Sequence, residues 1–544
     1  MRAPRFFLSP MRPQSPQTIF LRAAYLRFQI VSLVLPVVLL FCSVFLCPLG
    51  AESDHEIDYA RLKRDLQSLV PALLREHRIA GVSLVVFSND REVALSFGQA
   101  DADGLAPVQS TTRFQAADLV RPITAALVLE QSDGLISGPV VTQPDLPRLE
   151  RSITLEHLLC MNAGLRASRD GILPDQAPQP DRAAYLEERV IMDASPGSAY
   201  APSPESYAFL GAWLETRANG GFEDIAARFF RRRSMQFSSV TRSEENVAVG
   251  LEAAGARFFP APQTHLLYPA ADSLWTTAED YMLFLRWLYR ESRRSASPWR
   301  VMLDAQFGPR LAPELGGMGA GFQVLRPAKI TGFAAPGVDH FFRIEGRQPG
   351  YSSVAWITPD GRGAVVLANT QDSAFLRRLN RFLFERLDMT APPPTSPISE
   401  ETRRSFLALD LDRMEGSFRS VRATPASSGW FGFLNDLRLR VDPEGRLELG
   451  GVFEKETVIH LYPIGPDLFI ARGDAAMENW RVKLRRDSDG NVVGLDTDLV
   501  RYDRTPMYLS AWAYIVYAGL LVASPVFVLL VYMIRRRPRE EENE

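Results

Sequence analysis

Apolar and polar positions alternate along "IAGVSLVVFSNDREVALSFGQAD", residues 79–101, which reads as two strands joined by the turn Ser88-Asn89-Asp90. A helical pattern from Tyr59 to His77 precedes it, and helical patterns dominate from 120 to 290, as in "SYAFLGAWLETR" and "AEDYMLFLRWLYRES". Strand patterns return with "GAGFQVL", "HFFRIEG" and "YSSVAWITPDGRGAVVLAN", and the helix "SAFLRRLNRFLFERL" closes the unit. Strands from both ends around a helical middle predict one α+β domain over 56–390, its antiparallel sheet assembled from distant segments. A proline-rich linker follows over 391–402. Short strands with turns between them, such as "LRLRVDPEGRLEL" and "WRVKLRRDSDGNVVGL", then predict a small antiparallel β domain over 403–506. No internal repeat is visible.

Two segments break the globular pattern. Residues 1–27 carry Arg2, Arg5, Arg12, Arg22 and Arg27 without an acid, and the apolar run from Phe28 to Leu49 follows. Residues 1–51 therefore read as a signal peptide cleaved after Ala51, or as an uncleaved N-terminal anchor. Met507–Ile534 is 28 residues without a charge, long enough for a transmembrane helix, with Tyr508, Trp512, Tyr514 and Tyr532 near its ends. Arg535, Arg536, Arg537 and Arg539 follow, which places the tail 535–544 in the cytoplasm by the positive-inside rule. The expected setting is a bacterial inner membrane with the globular parts in the periplasm.

Composition narrows the chemistry. A net charge of −3 over 544 residues gives no electrostatic basis for nucleic-acid binding. Three cysteines, Cys42, Cys47 and Cys160, cannot make a disulfide framework, and six scattered histidines form no zinc-type spacing, so neither a metal nor another cofactor is expected. Lysine occurs only at 63, 329, 455 and 483, which leaves few amines to act as a base.

The candidate chemistry lies in "FQAADLVRPITAALVLEQSDGLIS", residues 114–137. The run Pro122–Leu135 is amphipathic, with Asp118 and Arg121 three residues apart at its start. This stretch, with "ITLEHLLCMNAGL", "SPGSAYAPSPESYAFLGAWLE", "YPAADSLWTTAEDYMLFL" and "IEGRQPGYSSVAWITPDGRGAVVLAN", resembles the serine β-lactamase and penicillin-binding protein family, in its class C β-lactamase and esterase branch. The landmarks occur in the family's order across roughly 56–390, and the small domain resembles a β domain often appended to family members. The resemblance implies a β-lactamase/transpeptidase-like fold. It also implies a serine opening the helix, a lysine one turn later that takes the serine's proton during attack on an acyl carbon, a Y-x-N motif, and a K-T-G or H-x-G strand.

Each of those motifs departs from the pattern here. The serine and lysine positions hold Asp118 and Arg121, and an arginine stays protonated and cannot act as the base. The Y-x-N positions hold Pro202, Ser203 and Pro204, the H-x-G positions hold Ile344, Glu345 and Gly346, and the family's paired glycines are Asp272 and Ser273. Frame residues persist around the gaps, among them Phe114, Pro122, Thr124, Gly197, Gly211, Gly350 and Ser353. Asp118 and Arg121 are expected to form an ion pair, with Asp118 capping the helix against its dipole, or to bind a ligand as a charged pair. Ser203, Glu345, Ser352 and Ser353 are the further candidates for the cleft. The resulting expectation is a pseudoenzyme that binds a peptidoglycan-derived or small peptide or ester ligand, or an envelope protein partner. A divergent hydrolase with relocated groups and a purely structural scaffold are the alternatives.

Overall fold

The computed structural model describes residues 57–506 apart from internal stretches, the longer ones being 139–151, 175–185, 327–339, 388–413, 421–435, 452–458 and 473–480. The expected N-terminal segment 1–51, the linker 391–402, the membrane span 507–534, the tail 535–544 and the candidate Pro202 lie outside the described residues. Among the described residues, no helix is long and apolar enough to cross a membrane.

Seven antiparallel strands form the main sheet: β1 (Gly81–Ser88), β2 (Arg91–Gly98), β3 (Gly317–Met318), β4 (Gln323–Leu325), β5 (Phe341–Gln348), β6 (Tyr351–Ile357) and β7 (Arg362–Ala368). Their order is β2-β1-β7-β6-β5-β4-β3, so the first hairpin pairs with the last strand of the domain. β6 is buried along its whole length because both faces of the sheet are covered. On one face, Trp356 stacks on Phe384 of the last helix, α6 (Ser373–Arg386), at 4.9 Å between ring centroids. α6 and α1 (Tyr59–His77) both bury residues at helical spacing, Leu62, Leu66, Val70, Leu73 and Leu74 in α1, and they pack together. The alternate positions of the strands, Ala355, Ile357, Val365 and Leu367, point into the core shared with the helical region.

That helical region contains α2 (Val120–Gln131), α3 (Pro204–Ala218), α4 (Phe222–Arg232) and α5 (Ala278–Ser292). α2 corrects the expectation of an amphipathic helix over Pro122–Leu135. It ends earlier, and Val120 and every residue from Pro122 to Leu129 are buried. The cause is tertiary: α2 is enclosed by α3, the short helix Pro269–Asp272 and the 3₁₀ segment Pro298–Leu303, whose Trp299 Nε1 donates to the Ala126 carbonyl at 2.9 Å. A helix surrounded on every side keeps no polar face.

The C-terminal strands close into a barrel: β8 (Gly416–Ser420), β9 (Leu437–Val441), β10 (Leu447–Gly451), β11 (Ile459–Gly465), β12 (Leu468–Arg472), β13 (Arg481–Arg486), β14 (Val492–Thr497) and β15 (Arg501–Arg504). Alternating residues, among them Phe418, Leu439, Leu449, Leu461, Val482 and Leu495, fill its interior. Closure leaves no unpaired strand edge, which a flat sheet of such short strands would expose. Lys483 of β13 donates to Glu314 Oε1 at 2.7 Å, tying the barrel to the loop before β3.

Candidate active site

The turn that carries Asp118 lies against the middle of the main sheet. Phe114 and Gln115 pair with Trp275 and Thr276, after which the chain tightens into a 3₁₀ turn, Ala117–Leu119, and enters α2. Ala117 holds a left-handed φ of 51°, a conformation that a residue with a Cβ adopts only at a cost of about 1 kcal/mol. The Gln115 Oε1 steadies it by accepting from the amides of Ala117 at 3.0 Å and Leu274 at 3.2 Å. On the sheet side, a Cβ on Gly346 would stand 2.3 Å from the Ala116 carbonyl and 3.1 Å from the Asp118 amide, so only glycine lets the turn approach β5 so closely.

Asp118 does not cap the helix. Leu119 occupies that position without a side-chain hydrogen bond, because the 3₁₀ turn places Asp118 outside reach of the orphan amides of α2. The expected pairing with Arg121 does form, at 3.0 Å between Arg121 Nη2 and Asp118 Oδ1. A second carboxylate joins it. Arg121 Nη2 donates to Asp272 Oδ1 at 2.6 Å and its Nε donates to the Ala271 carbonyl at 2.9 Å, so one guanidinium bridges two acids and a backbone oxygen. Its plane also lies near the ring of Tyr207, 5.9 Å from the centroid, while the Tyr207 hydroxyl donates to the Leu159 carbonyl.

The electrostatics of this triad follow from its partial burial. Burial pushes the Asp118 carboxyl well above the ordinary carboxylate range against the pull of Arg121, and the charge of Asp272 adds to the rise. For Arg121, burial opposes the charge, but Asp118 and Asp272 outweigh it and hold the guanidinium protonated more firmly than in a free arginine. Arg121 therefore has no proton to exchange at working pH. The Asp118 side chain retains 27% of its exposure, so solvent reaches it.

The other candidates are brought to the same neighbourhood with different duties. Ser353 is buried and its Oγ donates to the Ala116 carbonyl at 2.9 Å, fastening the Asp118 turn to the sheet. Ser352 is buried and donates to the Thr370 carbonyl at 2.8 Å. Ile344 points into the core, and Glu345 is half-buried between Arg343 at 3.4 Å and Arg347 at 3.6 Å. Pro204 is the first residue of α3, where a missing amide hydrogen costs nothing. Ser203, just before it, is buried and donates to Glu205 Oε2 at 2.6 Å.

Two participants escaped the sequence reading. Asp272 was expected only at a position where the resemblance implies a glycine, and the one signal of its partnership with Arg121 is the opposite charge. Glu205 lies two residues beyond Ser203, a spacing with no motif value until the helix start folds it back. The persisting frame has a physical basis. Thr124 Oγ1 donates to the Ala270 carbonyl at 2.7 Å, and a Cβ on Gly211 would sit 2.6 Å from that of Ala270, so the short helix carrying Asp272 is clamped between α2 and α3.

The family profile described as Beta-lactamase matches residues 66–388, and the chain belongs to that family. Among solved structures, SurE shares 21% identity at a TM-score of 0.55, covering 81% of this chain and 99% of its own. SurE with D-Leu aligns at a TM-score of 0.50 with the same identity and coverage. A class C beta-lactamase shares 18% identity at a TM-score of 0.50, over 61% of this chain and 97% of its own. No curated protein sequence matches the chain. These likenesses establish the β-lactamase/transpeptidase-like fold, with helices and sheet mixed and a barrel-like β domain after it.

Proposed function

We propose that this β-lactamase-family protein is an exported, membrane-anchored pseudoenzyme that binds a cell-wall-type peptide or a protein partner in the former catalytic cleft without acylation. The observation that carries the reading is the bridged triad Asp118–Arg121–Asp272. A hydroxyl nucleophile and a deprotonatable amine are replaced by two acids and a cation fixed between them, a set that can recognise charge but cannot form an acyl-serine. The hydroxyls of Ser203, Ser352 and Ser353 are buried and committed to hydrogen bonds, which speaks against their use as substitutes. Arg347 and Glu345 on the neighbouring strand offer further charge for a zwitterionic peptide end. The apolar segments at 28–49 and 507–534 support a membrane setting, with the family domain and barrel on the periplasmic side and the arginine-rich tail in the cytoplasm.

A second reading has one observation in its favour. The short Ser203–Glu205 hydrogen bond pairs a hydroxyl with a carboxylate, the minimum of a divergent serine hydrolase. Intact-mass spectrometry after exposure to a labelled penicillin and to a fluorophosphonate separates the two. The expected result is no adduct on the native chain and none on Asp118→Ser/Arg121→Lys, because Asp272 remains to hold the new lysine charged. An adduct mapped to Ser203 would overturn the pseudoenzyme reading. Binding is then measured by calorimetry with muropeptides and with short peptides ending in D-Leu, the residue held by SurE in its complex, and it should weaken at least ten-fold in Asp118→Asn.

A further inference from the structure

The barrel, to which no role has been given so far, brings together three residues that no sequence spacing connects. Asp442 follows β9, Glu448 lies in β10 and His460 in β11, three neighbouring antiparallel strands. Glu448 and His460 stand directly opposite each other in the β10–β11 register, so their side chains leave the same face of the barrel wall. In the β9–β10 register Glu448 faces Arg440, and Asp442 lies two residues beyond Arg440, which returns it to that same face. The outcome is one imidazole and two carboxylates whose potential ligand atoms all lie within 4.8 Å of one another.

We infer that Asp442, Glu448 and His460 form a binding site for a divalent transition-metal ion, with zinc the best match. The donor set is one borderline nitrogen and two oxygens, which suits zinc and gives calcium too few oxygens. The separation between His460 Nδ1 and Glu448 Oε1, 3.7 Å, is close to the spacing of about 3.3–3.6 Å that ligands about 2.0–2.2 Å from a tetrahedral ion adopt. The same Nδ1, on a side chain that keeps 29% of its exposure, makes no hydrogen bond and has the Glu448 carboxylate 3.7 Å away. A ring nitrogen in this position costs stability unless something fills its valence, and a metal ion between it and the two acids does so. Asp442 is itself buried, at 8% exposure, so the site has one enclosed wall and an outer side open to water ligands. Arg440, opposite Glu448 in register, is exposed. The ion would tie together the ends of three strands, stabilising the barrel by binding only its folded form.

The test uses the full chain in detergent, stripped with a chelator and dialysed against zinc chloride. Bound metal is counted by plasma mass spectrometry, and affinity is measured by calorimetry. One zinc per chain is expected, with affinity at least ten-fold weaker in His460→Ala and in the near-isosteric Glu448→Gln, and with a zinc-dependent rise in Tm that neither variant shows. Melting of the metal-free proteins checks folding, and Glu448→Gln keeps the test decisive if the histidine variant unfolds. No stoichiometric zinc, or zinc uptake unchanged in a folded variant, overturns the inference.

Discussion

Replacing Arg121 by leucine removes the cation that joins Asp118 to Asp272 and leaves the rest of the turn in place. Deleting one member of a buried ion pair costs about 3–5 kcal/mol. The three side chains here keep between 12% and 27% of their exposure, so water offsets part of the loss and about 2–3 kcal/mol is expected. At an unfolding entropy of about 2 cal/mol/K per residue, that lowers the Tm of a domain of this size by roughly 3–5 °C. The loss must also depend on pH. Asp118 binds its proton more tightly in the folded protein than in the unfolded chain. Its stabilising contribution is therefore complete below the ordinary carboxylate value of about 4 and is lost as pH rises toward the raised one. Without the guanidinium that rise is larger, so the deficit of Arg121→Leu should be smaller near pH 5 than near pH 8. Urea denaturation followed by tryptophan fluorescence at the two pH values measures it. Adding Asp272→Asn should restore at least about half of the loss near pH 8, since the remaining acid no longer faces a like charge. Wild-type stability of Arg121→Leu near pH 8, or an equal deficit at both pH values, would refute the electrostatic account.

Two further substitutions probe the frame around the triad. Gly346→Ala places a methyl group 2.3 Å from the Ala116 carbonyl, 2.6 Å from the buried Ser353 hydroxyl and 3.1 Å from the Asp118 amide, and should destabilise by about 1–3 kcal/mol in chemical denaturation because none of these can yield freely. Ser353→Ala should cost about 1–2 kcal/mol by leaving the Ala116 carbonyl without that donor, and the absence of fluorophosphonate labelling should persist. If labelling appears in native protein and vanishes in this variant, Ser353 is a nucleophile and not a fastener.

How much of this was legible beforehand depends on the range of the interaction. The helix Tyr59–His77 matches its periodicity, because its burial is set by near neighbours on a single face, and the hairpin strands end at Ser88 and start at Arg91 as expected; but Gly81–Phe87 is buried without alternation, because the sheet is covered on both faces. The ordered landmarks from Asp118 to Ser353 were likewise sufficient for the family and its α+β fold, since each landmark preserves a local turn or close approach, as Gly346 does. Helix α2 was misread as amphipathic because enclosure by three other elements is not a local property.

The sequence by itself determined the order of strands and helices and the family frame, and it set Asp118 and Arg121 three residues apart. It also paired those two residues, since three positions of separation put them within reach. Only the tertiary structure decided that Asp272, 151 positions from Arg121 along the chain, completes the triad, and that Asp118 sits in a 3₁₀ turn without capping α2. Strand register alone collected Asp442, Glu448 and His460 on one barrel face. The physical reason is the same in each case. Charge interactions act over a few ångströms of space and are indifferent to sequence separation, so partners are known only after the backbone has closed the distance.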